Sequence, residues 1–251
     1  MAGIADVDKQ PARIAGMFDA IAGRYDALNH LLSAGLDRGW RRRAVRALEL
    51  SGKDRVLDVC TGTADLAIEA VRRGAGEVVG VDFAGEMLRR GLDKVRAAGL
   101  ATRIRVARGD AMRLPFRDRT FDAAMVAFGI RNVLDPVVAC AEIRRVLRPG
   151  GRLAILEFGL PSTPGVRELY GWYFRVVLPR VGRLVSRHDD AYDYLPASVS
   201  RFPSGDAFAD VLRRAGFPVA THRALTGGVV SLYIAATLAS TSARATETPR
   251  E

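Results

Sequence analysis

The amino-acid sequence predicts an α/β fold, built on a seven-stranded, mostly parallel sheet with an antiparallel hairpin near its C-terminal end. Three observations support this prediction. Short apolar runs alternate with helical patterns along the chain, the first two of these runs end in a carboxylate, and the last two are joined by Thr226-Gly227-Gly228. Alternating strands and helices form a parallel sheet with helices on both faces. Two consecutive strands joined by a short glycine-containing turn form a hairpin.

The hydrophobic pattern assigns the individual elements. From Ile14 to Arg46 the pattern is helical. The predicted strands are 55–60, 77–82, 103–108, 121–128, 151–158, 218–225 and 228–238, and the predicted helices are 65–73, 84–98, 135–147 and 206–215. Arg148-Pro149-Gly150-Gly151 predicts a helix stop and a turn. We interpret residues 1–46 as a helical lid, 47–240 as the main domain with a helical insertion at 160–203, and 241–251 as a disordered tail.

The composition is that of a folded domain with excess positive charge. The chain has 251 residues, of which 49% are hydrophobic and 26% charged, and its net charge is +10. This charge favours an anionic partner, either nucleic acid or an acidic membrane face. Cys60 and Cys140 lie in apolar contexts and predict neither a disulfide framework nor a zinc site. Neither a signal peptide nor an apolar run long enough to span a bilayer is recognised, so a cytoplasmic protein is expected.

A nucleotide-binding turn is predicted between the first strand and the next helix. The first apolar run includes Asp58, a tight turn surrounds Gly62, and a helical pattern begins at Asp65. In such a unit the backbone approaches a nucleotide-like ligand closely. The turn has one glycine where a dinucleotide fingerprint needs three, and Asp65 would repel a phosphate at the helix N-terminus. A ligand with a ribose and no phosphate, commonly S-adenosylmethionine, fits better, and Asp58 would suit its cationic methionyl end. The alternative is an ordinary buried strand and turn.

Carboxylates at the ends of two further strands extend this predicted site. Val78-Val79-Gly80-Val81-Asp82 is a second buried run, and Asp82 lies 20 residues after Gly62. At that position an acid can accept hydrogen bonds from both ribose hydroxyls. Asp110 ends the third strand. Because ligands sit outside the carboxyl ends of parallel strands, Asp110 would lie beside the cofactor and accept from the exocyclic amine of adenine. Its alternative role is that of a turn aspartate.

The end of the fourth strand supplies candidate catalytic residues. The run from Ala127 to Val133 places Arg131 and Asn132 at the mouth of the predicted cleft. These two residues could bind a phenolate oxygen or position a water that takes the phenolic proton. Because arginine stays protonated, stabilisation of an oxyanion is its first role and water-mediated proton transfer its second. The alternative is a structural loop arginine.

Two segments rich in arginine or aromatic residues each have two interpretations. Five arginines and one acid, Asp37, lie between positions 37 and 46. They fit a solvated helical face, or a lid over the cofactor with a basic, membrane-facing edge. Apolar residues between 166 and 178 recur at helical spacing. They fit core packing, or a groove for an apolar substrate or membrane contact.

The polar stretch 186–194 is interpreted as a loop that could bring Tyr192 and Tyr194 to an aromatic substrate. His188 is followed by two aspartates, but adjacent residues converge poorly on one ion, so no metal site is predicted. His30 and His222 are assigned to no catalytic constellation.

Several stretches together resemble the ubiquinone/menaquinone-biosynthesis C-methyltransferase family, over roughly residues 14–238. The stretches that carry the resemblance near the N-terminus are Tyr25-Asp26-Ala27-Leu28-Asn29, Ser33-Ala34-Gly35 and Asp37-Arg38-Gly39-Trp40-Arg41. The central ones are Phe128-Gly129-Ile130-Arg131-Asn132, Arg145-Val146-Leu147-Arg148-Pro149-Gly150-Gly151 and Leu156-Glu157-Phe158. Those further on are Leu178-Pro179, Tyr192-Asp193-Tyr194-Leu195-Pro196-Ala197-Ser198, Phe202-Pro203 and Leu225-Thr226-Gly227-Gly228-Val229.

The resemblance implies a class I methyltransferase with a Rossmann-like fold that uses S-adenosylmethionine. It implies methyl transfer to a ring carbon of a polyprenyl hydroquinone, either demethylmenaquinol or its benzoquinol counterpart. The cofactor contacts that carry over are Thr63, Asp82, Asp110 and Ala111. Ala127 stands where relatives usually have a serine that makes a further contact.

The resemblance also implies a substrate site and a location. Arg131, Asn132 and Tyr192 are the candidate catalytic residues, and no metal is required. A prenyl tail would leave along the 166–178 helix, and the arginines would favour peripheral association with an anionic bilayer. A homodimer is left open.

Two rival functions follow from the charge and the fold. An RNA methyltransferase would explain the arginines, but they are not interleaved with a recognised RNA-binding module. A non-catalytic scaffold could keep the nucleotide-binding fold. The favoured interpretation remains an enzyme without a nucleic-acid partner.

Overall fold

One seven-stranded sheet organises the described part of this computed structural model, which comprises residues 9–161, 163–173, 176 and 190–239. The strands are β1 (Arg55–Val59), β2 (Glu77–Asp82), β3 (Ile104–Arg108), β4 (Phe121–Ala127), β5 (Leu147–Phe158), β6 (Val219–Leu225) and β7 (Val230–Ala236). Their order is β3-β2-β1-β4-β5-β7-β6. Strands β1 to β5 pair in parallel, and β7 pairs antiparallel with both β5 and β6. The predicted mostly parallel sheet with an antiparallel hairpin is therefore confirmed.

Helices connect the strands and cover both faces of the sheet. They are α1 (Pro11–Ile21), α2 (Tyr25–Leu32), α3 (Leu36–Ala47), α4 (Asp65–Arg72), α5 (Gly85–Ala97), α6 (Pro136–Val146), α7 (Val166–Trp172), α8 (Asp190–Arg201) and α9 (Asp206–Arg214). Helices α4, α5 and α6 are crossovers between parallel strands, which need connections of this length. Short 3-10 turns lie at Ile130–Asn132 and Thr226–Gly228.

The two faces of the sheet have separate hydrophobic cores. In β1, Leu57 and Val59 belong to the core that contains α6 and α9. Val56 belongs to the core that contains α3 and α4. This alternation follows from the two-residue period of a strand. It fixes the register of β1, because a one-residue slip would exchange its two faces.

Two predicted local structures differ from the observed ones. The predicted turn at 148–151 lies within β5, which starts at Leu147, directly after α6. Leu147 pairs with Phe121, and the next pair along β4 is Ala123 with Arg152, so the extra residues of β5 form a bulge. The predicted loop at 186–194 is helical from Asp190 onward, because α8 begins there. Residues 186–189 lie outside the described part, as does the predicted tail from 241.

The N-terminal helices lie beside the carboxyl ends of the parallel strands. Helix α1 contacts α5, and α3 contacts α4 and β5. Trp40 of α3 donates from its indole nitrogen to the Thr226 hydroxyl at 2.9 Å. This bond joins the N-terminal helices to the turn between β6 and β7. The division of the chain into lid, main domain, insertion and tail stays a prediction.

Candidate active site

The turn after β1 has the backbone conformation of a ligand-binding loop. Cys60, Gly62 and Ala64 all have positive φ, at 55°, 54° and 64°. The first and last of these are not glycines, so the turn is strained. The Asp82 carboxylate accepts from the backbone N–H groups of Gly62 and Ala84, both at 2.9 Å. The turn after β1 and the end of β2 are therefore joined by a hydrogen bond in the structure.

Asp58 is a buried carboxylate with one unsatisfied oxygen. The residue is 1% exposed, and its Oδ2 accepts from the Thr61 hydroxyl at 2.6 Å. Its Oδ1 has no hydrogen-bond partner among the described residues. Burial, reinforced by the nearby charge of Asp82, raises the pKa of Asp58 to about 7 against the hydrogen bond from Thr61. An orphaned buried acceptor of this kind fits a cationic amine.

Two small pockets meet at this turn and share one wall. The first, the Asp82 pocket, encloses about 370 Å³ and is bordered by Asp82, Phe83 and Asn132. The second, the Asp58 pocket, encloses about 350 Å³ and is bordered by Asp58, Thr63 and Asp65. Their shared wall consists of Tyr25, Cys60, Gly62, Ala127 and Phe128. A ligand with a ribose at one end and an amine at the other could occupy both pockets.

Thr63 belongs to an ionic cluster that ties the N-terminal helices to the turn. Its hydroxyl donates to Asp26 of α2 at 2.6 Å. Lys94 of α5 lies 2.6 Å from Asp26 and also contacts Asp65 at the start of α4. The Lys94 ammonium therefore holds a carboxylate of the N-terminal helices against one of the main domain.

Of the three remaining residues predicted to bind the cofactor, one borders the two small pockets and two do not. Ala127 borders both small pockets. Asp110, after β3, accepts from the Met112 backbone N–H at 2.8 Å, and Ala111 is buried in the core. Neither Asp110 nor Ala111 borders the two pockets. The contact of these two residues with adenine stays a prediction.

A large apolar cavity adjoins the two pockets. Its empty space is about 1050 Å³, part of which is open to solvent. Tyr25 and Phe128 border the cavity as well as both small pockets, so these two rings separate the larger space from the smaller ones. The other apolar and aromatic residues of its wall are Met17, Phe18, Ile21, Leu28, Leu32, Trp40, Phe158, Tyr170, Tyr173, Tyr194, Leu195 and Val229. Tyr170 and Tyr173 of the 166–178 segment thus border a cavity, which is compatible with the interpretation of this segment as part of a groove for an apolar substrate.

Arg131 borders this cavity and is held by a buried carboxylate. Glu157 at the end of β5 is fully buried and accepts from Arg131 Nη1 at 2.8 Å and from the Arg131 backbone N–H at 3.1 Å. Arg131 Nη1 also donates to the Phe128 carbonyl at 2.6 Å, and its guanidinium lies 5.4 Å from the centre of the Phe158 ring. These contacts fix the guanidinium against the cavity wall. The sequence had suggested no partner for Arg131.

Asn132 does not join Arg131 at the cavity wall. Asn132 borders the Asp82 pocket and not the apolar cavity. Its Oδ1 is buried without a hydrogen-bond partner among the described residues, which leaves this acceptor available to a ligand. Tyr192 lies in α8, but its side chain is outside the described part of the structure.

Tyr25 and His30 are site residues that the sequence did not single out, whereas Tyr194 was named with Tyr192 as a possible contact to an aromatic substrate. Tyr25 and Tyr194 border the cavity, and burial raises the pKa of each. His30 Nδ1 lies 2.9 Å from the Asp37 carboxylate, and Asp37 borders the same cavity. The signal that could have revealed His30 is its spacing from Asp37 across the turn between α2 and α3.

A second, polar depression lies behind His30. This arginine cleft encloses about 760 Å³ and is bordered by His30, Arg38, Arg41, Arg42, Asp65, Ile68, Glu69 and Arg72. In the described residues there is neither a cluster of side chains suited to hold a metal ion nor a helix long and apolar enough to cross a bilayer.

Comparison with known proteins identifies the family. The model of the ubiE/COQ5 methyltransferase family matches residues 6–237. The ubiquinone/menaquinone biosynthesis C-methyltransferase UbiE of Geobacter sp. (strain M21) is 46% identical over 224 residues, which cover 88% of this chain and 95% of that protein. The demethylmenaquinone methyltransferase of Deinococcus radiodurans is 44% identical over 232 residues, covering 92% and 95%.

A solved structure gives the same fold at low sequence identity. The SAM-dependent methyltransferase from Thermotoga maritima is 19% identical, with a TM-score of 0.62, over 88% of this chain and 99% of that one. The matches over nearly the whole chain confirm the resemblance predicted from the signature stretches. This chain belongs to the ubiE/COQ5 methyltransferase family.

Proposed function

We propose that this protein transfers a methyl group from S-adenosylmethionine to a ring carbon of demethylmenaquinol, giving menaquinol. The observation that carries the proposal is the apolar cavity of about 1050 Å³, which shares Tyr25 and Phe128 with two polar pockets. Such a cavity suits an aromatic ring with an apolar chain. The second candidate is the benzoquinol step of ubiquinone biosynthesis, favoured by relatives whose name includes both quinones.

The small pockets fit the methyl donor. Asp82 would bind the ribose hydroxyls and Asp58, with its orphaned oxygen, the methionyl amine. Gly62 and Thr63 would line the donor between them, and Asp110 and Ala111 would bind its adenine. Ala127 lacks the hydroxyl that relatives usually have here, so its contact would be van der Waals only. When bound, S-adenosylmethionine supplies an electrophilic methyl group.

Residues at the apolar cavity would orient and activate the quinol. Ionising the ring hydroxyl raises the electron density at the neighbouring carbon. Arg131 would stabilise the phenolate oxygen, because its guanidinium is fixed by Glu157 at the cavity wall. Asn132 borders the Asp82 pocket and would position the methyl donor. Tyr192 is retained as a candidate contact to the quinol ring. Orientation of the reacting atoms at about 3–3.5 Å would supply much of the rate enhancement.

The substrate's prenyl chain suggests peripheral association with a bilayer. Tyr173 donates to the Leu32 carbonyl at 3.0 Å, which brings the end of α7 to the end of α2. Four large apolar side chains near these two ends are exposed: Leu31, Leu36, Leu169 and Trp172. Exposed apolar side chains beside basic ones favour an anionic membrane surface. We therefore propose reversible association at the inner face of the cell membrane.

The function is tested by methyl transfer from labelled S-adenosylmethionine. The acceptors are a short-chain demethylmenaquinol, the matching benzoquinol and total RNA, each in a separate reaction. Label in the naphthoquinol at a higher kcat/KM than in the benzoquinol is the expected result. Label in RNA alone would refute the quinol substrate, and label in no acceptor would favour a scaffold. Sedimentation with phosphatidylglycerol vesicles, compared with phosphatidylcholine vesicles, tests the membrane contact.

A further inference from the structure

Methylation of a hydroquinone ring releases one proton, and the residues around the cavity limit where that proton can go. The ring exchanges a hydrogen for a methyl group, so the proposed function, on which this inference rests, requires one proton to leave the site in each turnover. An apolar cavity offers few groups that can accept it. A general base must lie within hydrogen-bonding reach of the hydroxyl, directly or through one water.

Most titratable groups on the cavity wall are poor acceptors. Arg41 and Arg131 stay protonated. The tyrosines at positions 25, 170, 173 and 194 keep their protons, because burial raises the pKa of each, that of Tyr173 to about 12. Among the described residues that border the cavity, Asp37 is the one carboxylate.

Asp37 is held as a carboxylate by three neighbouring side chains. His30 Nδ1 and the Ser33 hydroxyl each lie 2.9 Å from its Oδ1, and Arg41 Nη1 contacts its Oδ2. Burial raises the pKa of Asp37, but the hydrogen bonds and the charge of Arg41 outweigh burial and keep the pKa below its ordinary value. Asp37 is therefore ionised at neutral pH and 3% exposed.

His30 connects this carboxylate to solvent. One third of its side chain, 32%, is exposed, and it borders the arginine cleft but not the apolar cavity. Arg38, an exposed residue, donates to His30 Nε2 at 3.2 Å, which leaves the imidazole proton on Nδ1, facing Asp37. Asp37 and His30 thus form a polar path from the apolar cavity to the surface.

We propose that Asp37 accepts the proton of the substrate's ring hydroxyl, directly or through one water, and that His30 passes it to solvent in the arginine cleft. Asp37 is then a catalytic residue of the methyl transfer, and His30 is a positioning and relay residue. Arg131 keeps the separate role of stabilising the phenolate oxygen.

The proposed step balances in atoms and electrons. The hydroxyl O–H bond breaks, and its proton goes to a carboxylate oxygen of Asp37. The ring carbon uses the phenolate electron pair to bond the methyl group, and the electrons of the broken S–C bond stay on sulfur. The ring then tautomerises: the same ring carbon loses its hydrogen as a proton and the ring oxygen gains a proton through water, which restores the aromatic hydroxyl. The proton on Asp37 leaves through His30, which regenerates the carboxylate.

His30 must change tautomer to relay the proton. Its Nδ1 donates while Asp37 is ionised, and it must accept once Asp37 is protonated. Arg38 donates to Nε2, so its exposed side chain must first turn away; exchange with water on Nε2 then allows this change. The charged groups near the pair are Arg38 and Arg41 of α3 and Asp65 of α4, which lies 3.6 Å from Arg41 Nη2. Arg42, Glu69 and Arg72 also border the arginine cleft next to His30.

The test compares Asp37→Asn with the unaltered protein in single turnovers with short-chain demethylmenaquinol between pH 6 and 9. We expect a rate loss of about 100- to 10,000-fold at pH 7. The variant's rate should then rise about tenfold per pH unit, as the hydroxyl ionises without help. A ring-fluorinated quinol, whose hydroxyl is more acidic, should regain most of the loss.

A second variant guards against a folding defect in Asp37→Asn, which leaves Arg41 without its nearest carboxylate. His30→Gln should lose about tenfold in rate, and imidazole added to the buffer should restore it, because the part-exposed position admits a small base. His222→Gln is the matched control. It removes the other histidine–aspartate pair of the described residues, 3.2 Å from Asp206 and outside the site, and should leave rate and pH profile unchanged.

Each remaining outcome counts against the inference. A folded Asp37→Asn protein with the original rate and pH profile refutes the role of Asp37. Equal rate losses for the ordinary and the fluorinated quinol would make Asp37 structural. If Asp37→Asn does not fold and imidazole fails to restore His30→Gln, the relay is refuted. An unaltered protein that methylates none of the quinols refutes the proposed function, and the inference with it.

Discussion

The protonation of Asp58 allows a test of how the Asp58 pocket binds the methyl donor. In the folded, ligand-free protein, burial raises the pKa of Asp58 from 3.8 to about 7. Binding of a cationic amine at its orphaned Oδ1 requires the ionised form. Donor affinity should therefore rise with pH up to about 7 and then level off. One linked proton makes binding about 100-fold weaker at pH 5 than at pH 8.

The raised pKa of Asp58 also predicts how the free energy of unfolding varies with pH. The folded state binds the Asp58 proton more tightly than the unfolded state does, so stability falls as pH rises from about 4 to 7. At 1.36 kcal/mol per pKa unit, the loss above pH 7 is about 4 kcal/mol, an upper value. Asp58→Asn mimics the protonated carboxyl. It should stabilise the ligand-free protein at pH 8 by up to this amount and leave its stability at pH 4 nearly unchanged.

Calorimetry with S-adenosylhomocysteine at pH 5, 6, 7 and 8 measures the affinity. The Asn variant should bind about 10- to 100-fold more weakly than the original at pH 8, because a charged hydrogen bond contributes about 1.5–3 kcal/mol. Its affinity should not vary with pH. Asp93→Asn, an exposed change on α5, should reproduce the original protein. A pH-independent affinity in the original protein, or an unchanged slope in Asp58→Asn, would refute the reasoning.

Three further predictions concern contacts around the site. Glu157→Gln leaves the buried guanidinium of Arg131 without a counter-charge and should lower the free energy of unfolding in urea by about 3 kcal/mol; an unchanged urea midpoint would contradict this. Gly129→Ala places a Cβ 2.3 Å from Cys60 Cβ and should lower the Tm, whereas adding Cys60→Gly should restore most of it. Lys94→Met should reduce stability by about 1 kcal/mol, and the difference should shrink at 1 M salt, which urea titrations at two salt concentrations can measure.

The positions of the central strands were predictable because β2 and β4 are rich in apolar residues and are bounded by turn residues. The predicted segment 77–82 coincides with β2, and 121–128 exceeds β4 by one residue. The β5 bulge was not predictable, because Pro149 and Gly150 have the composition of a turn. Only the backbone hydrogen bonds of Gly150 and Gly151 with Leu238 and Thr237 show that this stretch continues a strand. The helical start of α8 was missed for a similar reason, since polar residues there obscure the apolar spacing.

The residues of the Asp58 and Asp82 pockets were more predictable from the sequence than those of the apolar cavity. Asp58, Gly62 and Asp82 lie on adjacent strand ends, so the rule for parallel sheets places them together. The residues that form ion pairs and hydrogen bonds around the apolar cavity come from segments that are distant in the sequence. Glu157 is 26 residues from Arg131, and Tyr194 comes from the insertion. Asp37 and His30 meet only because the turn between α2 and α3 reverses the chain, which no periodic pattern reveals.

The position of β7 has a consequence for how the molecule is made. This strand is the last one along the described chain, yet it lies between β5 and β6 and pairs with both. During synthesis the earlier strands emerge first, so β5 has a bare, unpaired edge until residues 230–236 leave the ribosome. Such an edge is a template for pairing with other chains. The nascent polypeptide should therefore depend on chaperones, and a stop codon before residue 230 should yield aggregates rather than a smaller folded enzyme.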